Sequence, residues 1–204
     1  MKKLIAGVVL GVSLSAVAYG AGDPEAGKEL VSGMACQSCH GQGGAQPLMG
    51  NYPKLAGMGE VYLTRQLKHI QDGTRNIPEM AGQLNGLSDQ NLQDLAAYFD
   101  QQPVGLNQAD PALVERGSAI YRGGNMASGV PACAGCHNPQ GKGNEPAGYP
   151  RLSGQNAEYV AKQLRAFRDG ERAATANAQI MADVASRLTD AEIEAVANYV
   201  SGLH

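Results

Sequence analysis

Cys36-Gln37-Ser38-Cys39-His40 and Cys133-Ala134-Gly135-Cys136-His137 hold the side chains of this sequence best suited to chemistry. Both stretches read C-x-x-C-H, and together they use all four cysteines. That spacing is the attachment signature of a c-type haem. Two thiols so placed add covalently to the vinyl groups on one side of a porphyrin, and the adjacent histidine is then held under the iron. The chain is therefore expected to carry two covalently bound haem c groups. Cys36, Cys39, Cys133 and Cys136 would attach them, with His40 and His137 as proximal iron ligands. Other uses of the thiols fit less well. A Cys-x-x-Cys pair can be half of a zinc site or a redox dithiol. Structural zinc knuckles usually come from a shorter span and need no histidine after each pair. A thioredoxin-like motif needs a βαβ setting that the sequence lacks.

The two motifs belong to an internal repeat. His40 matches His137 at an offset of 97, which also pairs Tyr52-Pro53 with Tyr149-Pro150, Leu55 with Leu152 and Gly57 with Gly154. Tyr62 meets Tyr159, Gln66-Leu67 meets Gln163-Leu164, and Gly73 meets Gly170. Beyond that point the offset becomes 101, pairing Leu87-Ser88-Asp89 with Leu188-Thr189-Asp190 and Tyr98 with Tyr199. The second copy has four extra residues between its middle and last helices.

The repeat also selects a sixth iron ligand. A methionine closes that position and favours electron transfer, whereas an open site permits catalysis on small molecules. Of the methionines after Met1, only Met80 and Met181 fall on matched positions. Each is expected in the loop between the second and third helices of its copy. Gap-filling core methionine is the alternative use. His69 has no counterpart and His204 ends the sequence, so neither suits a repeated ligand set. Pro53 and Pro150 each follow a motif histidine by thirteen residues. Their carbonyls are candidates to accept the Nδ1 hydrogen bond that orients a metal-binding imidazole.

Three helices per copy position these groups. Asp23-Pro24 and Asp110-Pro111 give the cap-then-proline start of a first helix. A second runs from Glu60 to about Asp72 and from Asn156 or Ala157 to Gly170, with Gly73 and Gly170 as stops. Ser88 caps the third in copy one. Thr189-x-x-Glu192 makes a capping box for the third in copy two. No segment reads as a strand, so the fold class is all-α. Residues 21–101 form one domain and 110–204 the other, with 102–109 as a Pro- and Gly-bearing linker. The linker is short, so the domains should lie against each other.

The 204 residues suffice for two domains of this size, yet include no Trp and only two Phe. Two buried porphyrins would supply the missing apolar mass. Residues 1–20 read as a secretory signal: Lys2 and Lys3, an apolar run from Leu4 to Ala18, then small residues. Retention of the segment as an anchor is the alternative. Export to the periplasm agrees with haem attachment outside the cytoplasm. Residues 21–106 carry a net charge of −4 and residues 107–204 a net charge of −1. No basic patch points to nucleic acid.

With these features assembled, the sequence resembles the dihaem cytochrome c4 family across its whole mature length. The resemblance rests on both C-x-x-C-H motifs, Tyr52-Pro53-Lys54-Leu55-Ala56-Gly57, Tyr149-Pro150-Arg151-Leu152-Ser153-Gly154, Met80 with Met181, Leu87-Ser88-Asp89, and the C-terminal Tyr199-Val200-Ser201-Gly202-Leu203-His204. It implies two tandem cytochrome c-like domains, each wrapped around one haem and related by pseudo-twofold symmetry, with haem propionates facing the domain interface. It implies His/Met ligation at both irons. It further implies a periplasmic electron carrier, not an enzyme, working between a donor on the quinol side and a terminal oxidase, cbb3-type oxidases among them, with loose membrane association allowed. Two other uses of such a chain stay open. One is the electron-accepting subunit of a dehydrogenase such as flavocytochrome c sulfide dehydrogenase. The other is a catalytic dihaem protein, which would need a displaceable sixth ligand.

Overall fold

A computed structural model describes residues 22–204. The expected signal segment, residues 1–20, lies outside the described residues. In chain order the helices are α1 (Pro24–Gly33), α2 (Cys36–His40), α3 (Glu60–Gln71), α4 (Asp89–Asp100), α5 (Pro111–Gly123), α6 (Ala134–His137), α7 (Ala157–Arg168), α8 (Ala176–Ala185) and α9 (Asp190–Ser201). Among the described residues the only β pairing is two isolated bridges, Asn125 with Val130 and Asn144 with Tyr149. The fold is all-α, as the sequence indicates.

The caps operate as their residue types dictate. Asp23 Oδ1 accepts from the Glu25 and Ala26 amides, and Asp110 Oδ1 from that of Ala112. Ser88 with Asn91, and Thr189 with Glu192, close reciprocal capping boxes at α4 and α9. In each domain the first and last helices cross closely at a glycine. A Cβ on Gly27 would lie 2.0 Å from the Asp94 carbonyl oxygen in α4. One on Gly117 would lie 2.2 Å from the Ala195 oxygen in α9. Val31, Met58, Leu63, Leu95, Ala96 and Phe99 form the first core, with Cys36 packed against it. The second is larger, includes Ile120, Tyr121, Ile193, Val196 and Val200, and has Cys133 packed against it. Each core thus closes on the first cysteine of its motif.

The structure corrects one element. Met181 does not sit in the expected loop; it lies within α8, a helix that the repeat does not indicate. Thr175 caps it by accepting from the Ala178 amide, and Ala176, Ala178, Ala182 and Ala185 supply strong helix propensity. The first copy cannot form this helix. There only a short 3₁₀ turn forms, Pro78–Met80, with Pro78 at its start, and Gly82 and Gly86 follow with φ of 78° and 77°, which is not helical backbone. The four extra residues of the second copy are what α8 uses.

The domains pack against each other, as the short linker requires. Lys54 exchanges backbone hydrogen bonds with the Gln155 side chain, the Lys54 amide to Oε1 and Nε2 to the Lys54 carbonyl, both 2.9 Å. Lys54 Nζ holds the linker, donating to the Gly105 carbonyl and Asn107 Oδ1. Arg151, at the position matched to Lys54, donates to the Gly57 carbonyl across the interface at 3.1 Å. Glu145 caps α3 from the opposite domain, its Oε1 accepting from the Val61 amide at 2.7 Å. In return the Gly50 carbonyl accepts from the Tyr159 amide near the start of α7, at 3.1 Å.

Candidate haem sites

One helical turn per motif is enough to present the thiols together. Cys36 and Cys39 are three residues apart on α2, so both project from one face, with His40 completing the turn. Cys133 caps α6, which carries Cys136 and His137. The chain then leaves each turn with positive φ, 76° at Gly41 and 73° at Asn138, which occupy matched positions. At Gly41 no other residue fits, since a Cβ would lie 2.0 Å from the Gln46 carbonyl oxygen.

Both motif histidines are buried and oriented in the same way. His40 Nδ1 lies 2.9 Å from the Pro53 carbonyl oxygen, and His137 Nδ1 lies 3.0 Å from that of Pro150. A carbonyl only accepts, so Nδ1 carries the proton and the Nε2 lone pair is free for a metal. Burial lowers both imidazole pKa values, with the proline carbonyls partly opposing it, which keeps the rings neutral. Tyr52 and Tyr149 stand beside the rings at centroid distances of 6.4 and 6.0 Å. These are the same tyrosines that precede the two prolines.

The sulfur chemistry argues against a dithiol. Burial raises the pKa of both Cys36 and Cys133, the latter to about 11, whereas reactive Cys-x-x-Cys thiols are activated by a lowered value. The two cysteine pairs also do not converge. No cluster of three or more His, Cys, Asp or Glu suited to a metal ion occurs among the described residues.

In the second domain Cys133, Cys136, His137 and Met181 line one cavity, walled by Tyr121, Leu152, Val160, Leu164, Phe167 and Val196. An apolar wall, two thiols, one oriented imidazole and one thioether are the donor set a covalent haem requires, so the residues fit the group. The cavity does not extend to His40 or Met80. In the first domain, Met80 lies half-buried at the end of its 3₁₀ turn. His69 is a half-buried residue of α3 and His204 is exposed at the C-terminus.

One group in the cavity wall escaped the sequence reading. Arg75 and Arg172 occupy matched positions and reach across the interface. Arg75 donates to Tyr159 Oη and Gln163 Oε1, and Arg172 to Tyr62 Oη and Gln66 Oε1, at 2.9–3.1 Å. The signal was present: 75 and 172 differ by the same 97 residues that pair the tyrosines and glutamines.

Two Cys-x-x-Cys-His turns on a duplicated helical fold define a tandem c-type cytochrome with two covalent haem c groups. The family model described as "Cytochrome c" matches residues 114–204, and that described as "Cytochrome C oxidase, cbb3-type, subunit III" matches residues 22–99. Cytochrome c4 of Pseudomonas aeruginosa is 47% identical, with 100% of both chains covered. The crystal structure of reduced recombinant cytochrome c4 from Pseudomonas stutzeri superposes with a TM-score of 0.86 at 46% identity, covering 90% of this chain and 100% of that one. A "Thiosulfate dehydrogenase electron acceptor" of Thiomonas intermedia is 35% identical over 98% of this chain and 91% of its own. The chain belongs to the cytochrome c4 family and is a dihaem electron-transfer cytochrome.

Proposed function

We propose that the protein is a periplasmic electron carrier, taking electrons from a donor on the quinol side and delivering them to a terminal oxidase such as the cbb3 type. In this reading residues 1–20 are removed on export, and domains 21–101 and 110–204 each hold one haem, joined by 102–109. Cys36, Cys39, Cys133 and Cys136 form the thioether links. His40 with Met80, and His137 with Met181, would hold the two irons, with the Pro53 and Pro150 carbonyls orienting the imidazoles. The observation that carries the reading is the single cavity lined by both His137 and Met181. Bound haem supplies one-electron chemistry. The chain's own work is to keep both iron faces liganded, exclude water from them and hold each imidazole in one tautomer. A closed site turns over electrons without binding a substrate.

Redox titration with optical and magnetic spectra on the purified protein tests this. Two one-electron steps and two His/Met low-spin signatures are expected, and Met181→Ala should remove one methionine-to-iron absorption band. An intact band in that variant would refute the ligand assignment. Rapid cyanide or carbon monoxide binding to the parent protein would refute the closed site.

A second reading has its own support in the Thiomonas relative, which is named as an electron acceptor for thiosulfate dehydrogenase. Here the same two centres would accept electrons from a dehydrogenase partner. Mixing the oxidised protein with such an enzyme and thiosulfate separates the two readings. Fast reduction favours the acceptor role, and reduction only by the quinol-side donor favours the carrier.

A further inference from the structure

Among the described residues, one ion pair joins the two domains, and it lands beside Met80. Lys162 Nζ lies 3.6 Å from Glu79 Oε1. Lys162 belongs to α7 of the second domain, and Glu79 immediately precedes Met80 in the first. The same side of α7 meets the start of this segment. Tyr159 and Gln163, three residues before Lys162 and one after it, accept from Arg75.

The Met80 segment has little else to hold it. Between Asn76 and Gly86 only Leu84 is buried. The Met80, Ala81 and Gln83 amides donate to carbonyls three residues back, at Ile77, Pro78 and Met80, so the turn bonds to itself. Gln71 Nε2 holds the Leu84 and Leu87 carbonyls at 3.0 and 2.8 Å, which fixes the exit of the segment but not its entry. Local turns with few buried contacts open most readily. Met181 is placed differently. It sits in α8, which Thr175 caps and which packs on α7 of its own domain. The ion pair that α8 makes, Asp183 with Arg187, stays within that domain. Arg65, matched to Lys162 in the repeat, donates to the Gly148 carbonyl and not to α8.

We infer that Lys162 is a positioning residue for the first haem: through Glu79 the second domain clamps the turn that carries Met80. Docking of the domains and ligation by Met80 are then linked, whereas ligation by Met181 does not depend on the clamp. The inference rests on the axial assignment above and adds the residue that keeps one of those ligands in place. The pair is half-exposed, so its hold is modest and is screened by salt.

The test follows the methionine-to-iron absorption band of the oxidised holoprotein in excess cyanide at low salt. Met181→Ala removes the second haem's band and leaves the first to be read alone. In that background Lys162→Gln and Glu79→Gln should each speed the loss of the band by about two- to fivefold. The double variant should be no faster than either single one, because both remove the same pair. Salt at about 0.5 M should bring the unsubstituted background up to the rate of the variants. Lys68→Gln, which removes the Lys68–Asp89 pair inside the first domain, should leave the rate unchanged. In the complementary Met80→Ala background, Lys162→Gln should not alter the rate at the second haem. The clamp is overturned if neither single variant changes the rate, if their effects add, or if Lys68→Gln matches them. A Met181→Ala protein with no band before cyanide is added would refute the Met80 assignment and the clamp with it, whereas an intact band with unchanged rates refutes the clamp alone.

Discussion

Gln155→Leu is the sharpest probe of how the two domains are held. Gln155 is 3% exposed and sits where its repeat partner, Met58, sits in the other domain. Its Oε1 accepts from the Lys54 amide at 2.9 Å and from its neighbour Asn156 at 2.9 Å. Its Nε2 donates to the Lys54 carbonyl at 2.9 Å and approaches Met58 Sδ at 3.5 Å. Leucine fills similar space but offers no polar atom, so the Lys54 amide and carbonyl are both left buried and unpaired. Each stranded group costs roughly 1–3 kcal/mol, so the pair costs roughly 2–6 kcal/mol before relaxation. Water entering the seam recovers part of this, which places the net loss at roughly 2–4 kcal/mol. For a chain of this length each kcal/mol moves the melting temperature by about 2–4 °C, so a fall of roughly 5–15 °C is expected. Scanning calorimetry of the holoprotein measures it, and also shows whether one transition separates into two as docking fails before the domains melt. A single transition at the parent temperature would mean that these hydrogen bonds do not hold the domains together.

Four further variants probe particular residues. Gly41→Ala should destabilise the first domain by at least ~2 kcal/mol, because its Cβ would meet the Gln46 carbonyl at 2.0 Å in a positive-φ turn. Asn138→Gly, at the matched turn, should change stability by under ~1 kcal/mol, and equal denaturation midpoints for the two variants would contradict the steric account. Gly117→Ala should cost about 1–3 kcal/mol by pushing α5 off α9, read as a fall in the urea midpoint of the second domain; an unchanged midpoint would show that the crossing yields freely. The Thr189 amide holds the Glu192 carboxyl below its ordinary value of 4.5, aided by Asn125. Stability from that shift is fully present above pH 4.5 and is lost as pH falls through the depressed native value. Glu192→Gln should therefore flatten the acid limb of melting temperature against pH relative to the parent, and identical acid limbs would exclude the linkage.

The legible parts of this molecule were those encoded locally. Caps at Asp23, Ser88, Asp110 and Thr189 are short-range hydrogen bonds, and their residues announce them. The haem motifs were legible because the chemistry fixes both spacing and type. The matched prolines were legible because duplication repeats any residue that a site needs twice. Helix α8 was missed for the opposite reason: it has no counterpart in the first copy, so comparison between the halves suggested a loop. Its Thr175 cap and alanine content are a weaker local signal than a Pro or a Gly. The interdomain arginines carry no local signal because surface charge is the ordinary fate of arginine, and their partners Tyr159, Gln163, Tyr62 and Gln66 lie on the other domain. Contacts made only when the domains dock leave no mark on hydrophobic periodicity.

The cap that Glu145 places on α3 gives the chain a direction in time. The helix end at Val61 is completed by a residue 84 positions later in the sequence. Until that residue is in place the first half has its haem motif and its core residues but lacks this partner for the start of α3. A first half made alone would keep that defect permanently, with the amides at the start of α3 exchanging with solvent ahead of the rest of the helix. The nascent first domain is thus complete in composition well before it is complete in structure.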